Sequence, residues 1–266
     1  MSIAGGQPAI KIRALMSYGM YLSAEGAGVQ AQRLEFIANN LANLETPGFK
    51  RDVPVFQTRF AEAIQEGSAS PGDKSENNVG GGVKLQEVET DFSHSTLRHT
   101  KILTDFAING EGFFNVLGPD GEKMLTRAGN FEIDINGQLV TKSGGFPVLD
   151  DSGGIISLEA NQHWTLGPGG MISQGGENTP VGLRLPQSLG DLVKVGTNMF
   201  RPLGPTTEVP AVDRDIRQGY LEQSGVNSTR EMLSMIETSR AFEANTQLIQ
   251  NQDSMVSSLI SRVLSS

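Results

Sequence analysis

The chain has no cysteine, and that absence removes disulfide staples, thiol nucleophiles and thiolate metal sites together. Histidine is nearly as scarce. His94, His99 and His163 lie in polar surroundings with no HExxH pair and no three-ligand cluster, so they read as surface residues and no metal is expected. No run of about 18 apolar residues exists, so nothing is expected to span a bilayer. Positive charge is short as well: 21 Lys and Arg against 30 Asp and Glu leave a net charge of -9. That is the wrong sign for a general nucleic-acid surface, which binds by releasing counterions to a basic face. Residues 1–15 carry Lys11 and Arg13 after the apolar residues instead of before them, and no small-residue cleavage site follows a long apolar stretch. A cleaved secretory signal is therefore not expected.

Catalytic signatures are missing too. There is no Gly-x-Ser-x-Gly elbow, and Ser188 and Ser224 have no base that the sequence identifies. Acidic residues are spread along the chain with no legible pairing at glycosidase distance. Gly110-Glu111-Gly112 begins like a dinucleotide fingerprint, but Asn115 stands three residues on and a strand follows where a helix is required. Gly80-Gly81-Gly82 lacks the Gly-Lys-Ser/Thr of a phosphate cradle. Asn227-Ser228-Thr229 matches a glycosylation acceptor, yet at a helix start capping is the better account. Neither an enzyme nor a cofactor is called for.

What the chain does have is long helices at both ends. From Asn227 to Leu264 there is no Pro or Gly, a length of roughly 57 Å at the α-helical rise. Met235, Phe242, Ile249, Val256 and Val263 recur every seventh residue, the spacing of a coiled-coil seam. The companion row is read as Met232, Ser239, Thr246, Asp253 and Ile260, apolar only at its ends. Leu233, Leu248, Met255 and Leu259 project to roughly the opposite side. From about Tyr18 to Leu44 a second helix carries Leu34, Ile37, Leu41 and Leu44 on one face and Leu15, Leu22, Val29 and Phe36 on another. Gly19, Gly26 and Gly28 lower its helicity by about 1 kcal/mol each. Two helices with two apolar faces each cannot cover one another. Either the same chain sandwiches them, or other chains finish the exposed faces.

Between the helices the period changes. Thr46-Pro47-Gly48-Phe49 suits a type II turn that stops the first helix. Residues 52–66 read as partly helical, with Phe56, Phe60 and Ile64 at four-residue spacing, and residues 67–82 as a Gly/Ser-rich linker. From Val83 on, strands alternate with turns. Gly118-Pro119-Asp120-Gly121 closes a hairpin, and Asn136-Gly137 is the strongest two-residue hairpin signal, between Phe131, Ile133, Ile135 and Leu139-Val140-Thr141. The expected fold class is α+β: long N- and C-terminal helices packing as a coiled-coil-like pair, with a turn-rich antiparallel β domain between them. The expected divisions are an N-terminal extension over 1–15, an assembly helix over 16–45, a connecting segment over 46–82, the β domain over 83–205, a connector over 206–225 and the C-terminal assembly helix over 226–266.

Three stretches carry a family likeness. Ile37-Ala38-Asn39-Asn40-Leu41-Ala42-Asn43 with Thr46 and Gly48-Phe49-Lys50-Arg51 strongly resembles the N-terminal signature of the flagellar rod and hook proteins. Asp91-Phe92-Ser93, Phe106-Ala107-Ile108-Asn109-Gly110-Glu111-Gly112-Phe113-Phe114, Thr126-Arg127-Ala128-Gly129-Asn130-Phe131 and Gly137-Gln138-Leu139-Val140-Thr141 stand in the order of the same family. Gly219-Tyr220-Leu221-Glu222, Arg240-Ala241-Phe242-Glu243 and Asn245 close the match. Gly225 departs from the usual Asn, and residues 1–15 precede the usual start, which leaves Met1, Met16 and Met20 open as the first residue.

The resemblance implies a structural subunit of the flagellar basal-body rod that is exported by the flagellar type III apparatus without a cleaved signal. It implies helical polymerisation across the periplasm and transmission of torque, with copies of itself and other rod and hook axial proteins as partners. The expected assembly residues are Leu34, Ile37, Asn39, Asn40, Leu41 and Asn43 in the first helix and Met232, Met235, Phe242, Asn245, Ile249, Val256, Ile260 and Val263 in the last. The three Asn serve either as C-terminal caps or as hydrogen-bonding groups between subunits. The start Tyr18 to Gly26 resembles the proximal rod type more than the distal. A hook-type axial protein, and a periplasmic cell-wall-binding or hydrolytic β module to which Trp164 and the Gly turns would belong, are the alternatives.

Overall fold

A computed structural model describes residues 8–58, 82–159 and 162–264. The chain forms two compact units, one from residues 1–41, 52–89 and 228–266 and the other from residues 42–51 and 90–227. Each is therefore discontinuous in sequence.

The first unit holds both long helices. Helix α1 spans Pro8–Ala42 and α2 spans Ser228–Leu264. Residues 8–15, expected as an extension, belong to α1, and Gly19, Gly26 and Gly28 do not interrupt it. β1 (Arg51–Thr58) and β2 (Val83–Asp91) form a two-stranded sheet. The helix expected from residue 52 is thus a strand as far as Thr58. Phe56 fits a four-residue spacing, but Val53 and Val55 are β-branched and Pro54 cannot donate to a helical hydrogen bond, so extended backbone wins. Residues 59–66, with Phe60 and Ile64, and the linker up to residue 81 lie outside the described residues.

The second unit begins with the stop after α1. Phe49 N–H donates to Thr46 O at 3.3 Å, and Gly48 has φ +66°, which makes Thr46–Phe49 the type II turn that its Pro and Gly require. Only glycine fits there, since a Cβ on Gly48 would meet the backbone of Arg127 at 2.4 Å.

All strand pairs of the second unit with a described register are antiparallel. β5 (Phe113–Leu117), β6 (Lys123–Thr126), β12 (Leu183–Pro186), β13 (Leu192–Val195), β14 (Met199–Pro202) and β15 (Thr206–Glu208) form a six-stranded sheet in the order β13-β14-β6-β5-β12-β15. β9 (Trp164–Gly167), β10 (Met171–Gln174) and β11 (Glu177–Pro180) make a three-stranded meander. Three short ladders complete the unit: β3 (Leu97–His99) with β17 (Tyr220–Glu222), β4 (Phe106–Ile108) with β16 (Ile216–Gln218), and β7 (Phe131–Ile133) with β8 (Leu139–Thr141). β15, β16 and β17 fall inside residues 206–225, read above as a connector.

Turn chemistry sets the two hairpins that the sequence shows. β5 and β6 pair with Leu117 opposite Lys123, closed at Gly121, whose φ is +76°. The β7–β8 loop differs in type from the one expected. Gly137 N–H donates to Asp134 O at 3.0 Å and Asp134 N–H to Gln138 O at 2.9 Å, and Gly137 alone has positive φ, at +78°. This is a three-residue loop, a type I turn followed by a glycine in the left-handed region, because Asn136 keeps negative φ and a type I′ turn needs both residues positive.

The core of the unit is aromatic at its centre. Phe114 packs edge-on to Phe131 at 5.1 Å, and Phe106 packs edge-on to Phe131 and Trp164 at 5.7 and 6.0 Å, geometries that the ring quadrupole favours. Trp164 is buried here, so it is a core residue. A second cluster joins Phe92, Phe113, Leu125, Leu192 and Phe200.

Candidate functional site

Helix α2 carries the candidate site. Its buried residues are Glu231 and Thr238, and neither is apolar. A helix of 37 residues normally earns its place by burying an apolar stripe; α2 half-buries one, Met235, Phe242, Ile249 and Val256. Its companion row differs from the expected one. Glu231, Thr238, Asn245 and Gln252 repeat every seven residues and are buried or half-buried, whereas Met232, Asp253 and Ile260 are exposed. Alternating steps of four and three between the apolar and the polar rows make a seam of coiled-coil spacing. Sequence favoured Met232 and Ile260 because they are apolar; the helix instead turns polar groups inward beside its apolar row.

What that polar row meets is on α1. A Cβ built on Gly19 would lie 3.1 Å from Gln252 Nε2, and one on Gly26 would lie 3.4 Å from the Asn245 amide. Seven residues forward on α1 match seven residues back on α2, so the two helices run antiparallel with amides seated on glycines. The glycines that weaken α1 as an isolated helix make room for Asn245 and Gln252.

The other side of α2 has no such cover. Leu233, Leu248, Met255 and Leu259 are 58, 50, 50 and 45% exposed, and Val263 reaches 73%. Burial of a leucine or methionine side chain is worth about 1.5–3 kcal/mol, so each leaves a substantial part of that free energy ungained. Surplus apolar surface is thus a property of α2. On α1 Leu22, Val29, Leu34, Phe36 and Leu41 are half-buried and Ile37 is buried, with Met20 and Tyr21 exposed; Leu15 lies among residues whose side chains are not described.

The asparagines expected at an interface divide. Asn40, 2% exposed, donates from Nδ2 to Asp52 O at 2.9 Å and accepts from Asp52 N–H on Oδ1 at 3.0 Å. Its amide mimics a strand partner for β1, a use inside the chain. Asn43 is buried and its Oδ1 accepts from Thr46 Oγ1 at 3.1 Å, holding the turn after α1. Asn39 stays exposed, with Nδ2 3.5 Å from Asp52 Oδ2.

A charge cluster that the sequence reading did not single out fixes the same corner of the second unit. Glu222 accepts from Lys50 Nζ at 2.7 Å, from Ser95 N–H at 3.1 Å and from Arg127 Nη1 at 3.4 Å. Lys50 and Glu222 side chains are each 1% exposed. Burial pushes the Lys50 ammonium below its ordinary value, with Glu222 pulling the other way, and burial likewise lowers Arg127 against the pull of Glu222. Removing ions from water costs several kcal/mol each, offset here by three donors converging on one carboxylate. Lys194 covers the cluster by donating from Nζ to Lys50 O at 2.9 Å above the Phe49 ring. Among the described residues no group of acidic, His or Cys side chains could hold a metal ion, and no described helix is long and apolar enough to cross a membrane.

A helix-ended chain with an antiparallel β unit between and an uncovered helix face is built as a subunit of an assembly. Three profiles match it: flagella basal body rod protein over residues 20–50, flagellar hook protein FlgE/F/G D1 domain over 107–174 and flagellar basal body rod FlgEFG protein C-terminal over 217–262. The chain is 34% identical over 262 residues to the flagellar basal-body rod protein FlgG of Buchnera aphidicola from Schizaphis graminum, covering 90% of this chain and 97% of that protein. It is 32% identical over 250 residues to the flagellar basal-body rod protein FlgF of Caulobacter vibrioides, covering 93% and 98%, and 29% identical over 265 residues to FlgG of Bacillus subtilis, covering 92% and 98%. The chain belongs to the flagellar basal-body rod protein family, as a structural subunit and not an enzyme. The cell-wall hydrolase alternative falls with that finding.

Proposed function

We propose that the chain is an axial subunit that polymerises through its terminal helices, residues 16–45 and 226–266, and transmits torque along the rod. The observation that carries this reading is the uncovered side of α2, where Leu233, Leu248, Met255 and Leu259 face solvent. Contacts between different patches on successive copies do not close on themselves and so produce a filament. Buried helix seams would supply its stiffness, with the antiparallel α1–α2 pair acting as the coiled-coil-like element and residues 83–205 as the outer β domain. Of the residues expected at the interface, Asn39, Met232, Ile260 and Val263 are exposed, Leu34, Leu41, Met235, Phe242, Asn245, Ile249 and Val256 are half-buried, and Ile37, Asn40 and Asn43 are buried. The partners are other copies and the neighbouring rod and hook proteins. Delivery runs through the type III export apparatus without a cleaved signal, to the periplasmic part of the basal body.

Between rod positions, the start Tyr18 to Gly26 favours the proximal one, while relatives named FlgG and FlgF are similar to nearly the same degree. A hook-type subunit is the second reading; the profile matched by residues 107–174 bears the hook protein's name together with F and G.

The test is sedimentation with electron microscopy of the wild type and of the Leu248→Glu/Met255→Glu variant over rising concentration. The wild type should form long oligomers, and the variant should stay small with an unchanged circular dichroism spectrum. Equal polymerisation of the two would overturn the reading.

A further inference from the structure

Methionine carries all the sulfur of this chain, at 9 positions, since cysteine is absent. The fold sorts the described methionines by where they lie. In the second unit Met124 is 1% exposed, and Met171 and Met199 are half-buried. Among the described residues three methionines are exposed, Met20 at 39%, Met232 at 51% and Met255 at 50%, and all three stand on the long helices. A thioether is oxidised to the sulfoxide by an oxygen donor that reaches its sulfur. An oxidant in solution therefore meets the helices first and the β core last.

Met255 is placed where that oxidation has a consequence. It lies in the uncovered stripe of α2, seven residues after Leu248 and four before Leu259, which are 50 and 45% exposed; these spacings put side chains on one helix face. Between Glu243 and Arg262 Asp253 is the one charged residue, so charge pairing contributes little to what this stretch offers a partner. A thioether packs as a soft apolar group. A sulfoxide carries a strongly polar oxygen, which must be hydrogen-bonded wherever it is buried. With its side chain half in solvent, the single subunit turns that oxygen toward water at little cost. Only a contact that covers the stripe loses by it.

We propose that Met255 is a reversible oxidation site that controls assembly: as the thioether it lets the α2 stripe pack against another subunit, and as the sulfoxide it holds the chain folded but unassembled. The oxidant is a peroxide. A lone pair on Sδ attacks one oxygen of hydrogen peroxide, the O–O bond breaks as the S–O bond forms, and the departing hydroxide takes the proton from the transferred oxygen and leaves as water. Sulfur is oxidised and peroxide reduced by two electrons. A dithiol reductant reverses the step, giving the thioether, a disulfide and water. The inference rests on the assembly reading above and adds a means of control to the same surface.

The test treats the full-length protein, kept dilute enough to sediment as a monomer, with hydrogen peroxide and follows the sulfoxide at each methionine by peptide mass spectrometry. Met255 should oxidise at least about tenfold faster than Met124, in line with exposure. Once catalase has removed the peroxide and the protein is concentrated, sedimenting polymer should fall in step with Met255 sulfoxide, with an unchanged circular dichroism spectrum. Methionine sulfoxide reductases A and B with dithiothreitol should restore it. Met255→Leu, compared with itself before and after peroxide, should lose far less polymer than the wild type, which separates this residue from Met20, Met232 and Met235. Oxidation of Met255 no faster than of Met124, polymer indifferent to Met255 sulfoxide, or an equal loss in Met255→Leu overturns the switch and leaves the assembly reading standing. Untreated wild type that forms no polymer overturns the assembly reading and the switch with it.

Discussion

Glu222 and Lys50, 172 residues apart in sequence, meet in a 2.7 Å hydrogen bond with both side chains almost wholly removed from water. The pair ties the turn after α1 to the last strand before α2, and Gly48 N–H donating to Glu222 O at 2.9 Å and Gly225 N–H donating to Phe49 O at 2.9 Å bind the same two segments through their backbones.

Removing the shared carboxylate leaves Lys50 and Arg127 buried without their anion. Glu222→Ala should destabilise the chain by about 3–5 kcal/mol, the usual cost of orphaning a buried charge. Lys50→Met should cost less, because Glu222 keeps Arg127 and the Ser95 N–H. Urea unfolding followed by Trp164 fluorescence measures both, and equal midpoints for the two variants would contradict the account.

Asn40 both donates to and accepts from the backbone of Asp52, so its replacements are unequal. Asn40→Asp turns the donor toward Asp52 O into an acceptor and should cost about 1–3 kcal/mol, the penalty for a buried polar group left unmade. Asn39→Asp, at an exposed position, should cost under about 0.5 kcal/mol. Thermal unfolding by circular dichroism separates the two.

Three glycines of α1 should respond differently to alanine. Nothing lies within 4 Å of a Cβ on Gly28, so Gly28→Ala should stabilise by about 1 kcal/mol through helix propensity. Gly19→Ala presses on Gln252 Nε2 at 3.1 Å and Gly26→Ala only touches the Asn245 amide at 3.4 Å, so the gain should fall in the order Gly28, Gly26, Gly19. A reversal of that order in melting temperature would show that the amides do not rest on the glycines.

The Asp134 carboxylate accepts from Gln138 N–H at 2.7 Å and from Asn136 N–H and Nδ2 at 2.9 Å each. These bonds, that from Gln138 foremost, hold its pKa below the ordinary 3.8. The folded loop binds the proton less readily than the unfolded chain, so its contribution is complete above pH 3.8 and is lost as pH falls through the lowered value. The amide resonance of Gln138 should shift in that acid window in the wild type, and Asp134→Asn should remove the shift.

Much of this architecture was legible along the chain, and the misses share a cause. The two hairpins were readable because Gly121 and Gly137 need positive φ, a demand that one residue announces by itself. The helix stop was readable for the same reason at Pro47 and Gly48. The strand at residues 51–58 was not, because Phe56 matched a helical spacing and the partner that makes it a strand, β2, begins beyond a long intervening segment. The polar row of α2 was missed because apolar periodicity cannot report amides that find glycines on a distant helix. The Glu222 cluster was legible only as three separate motif residues, Lys50, Arg127 and Glu222, and no local pattern reports the ion pairs they make once the chain brings them together.

Both units are stitched from segments far apart in the sequence, and this restricts when folding can finish during synthesis. The β unit lacks its closing strand and the acceptor for Lys50 until residue 222 has emerged, and α1 has no amides to seat on Gly19 and Gly26 until the last forty residues follow. A nascent chain therefore stays incomplete until residue 252 has emerged, and a product cut short before residue 222 would be left with an open ladder and a glycine-weakened helix, a ready substrate for proteases.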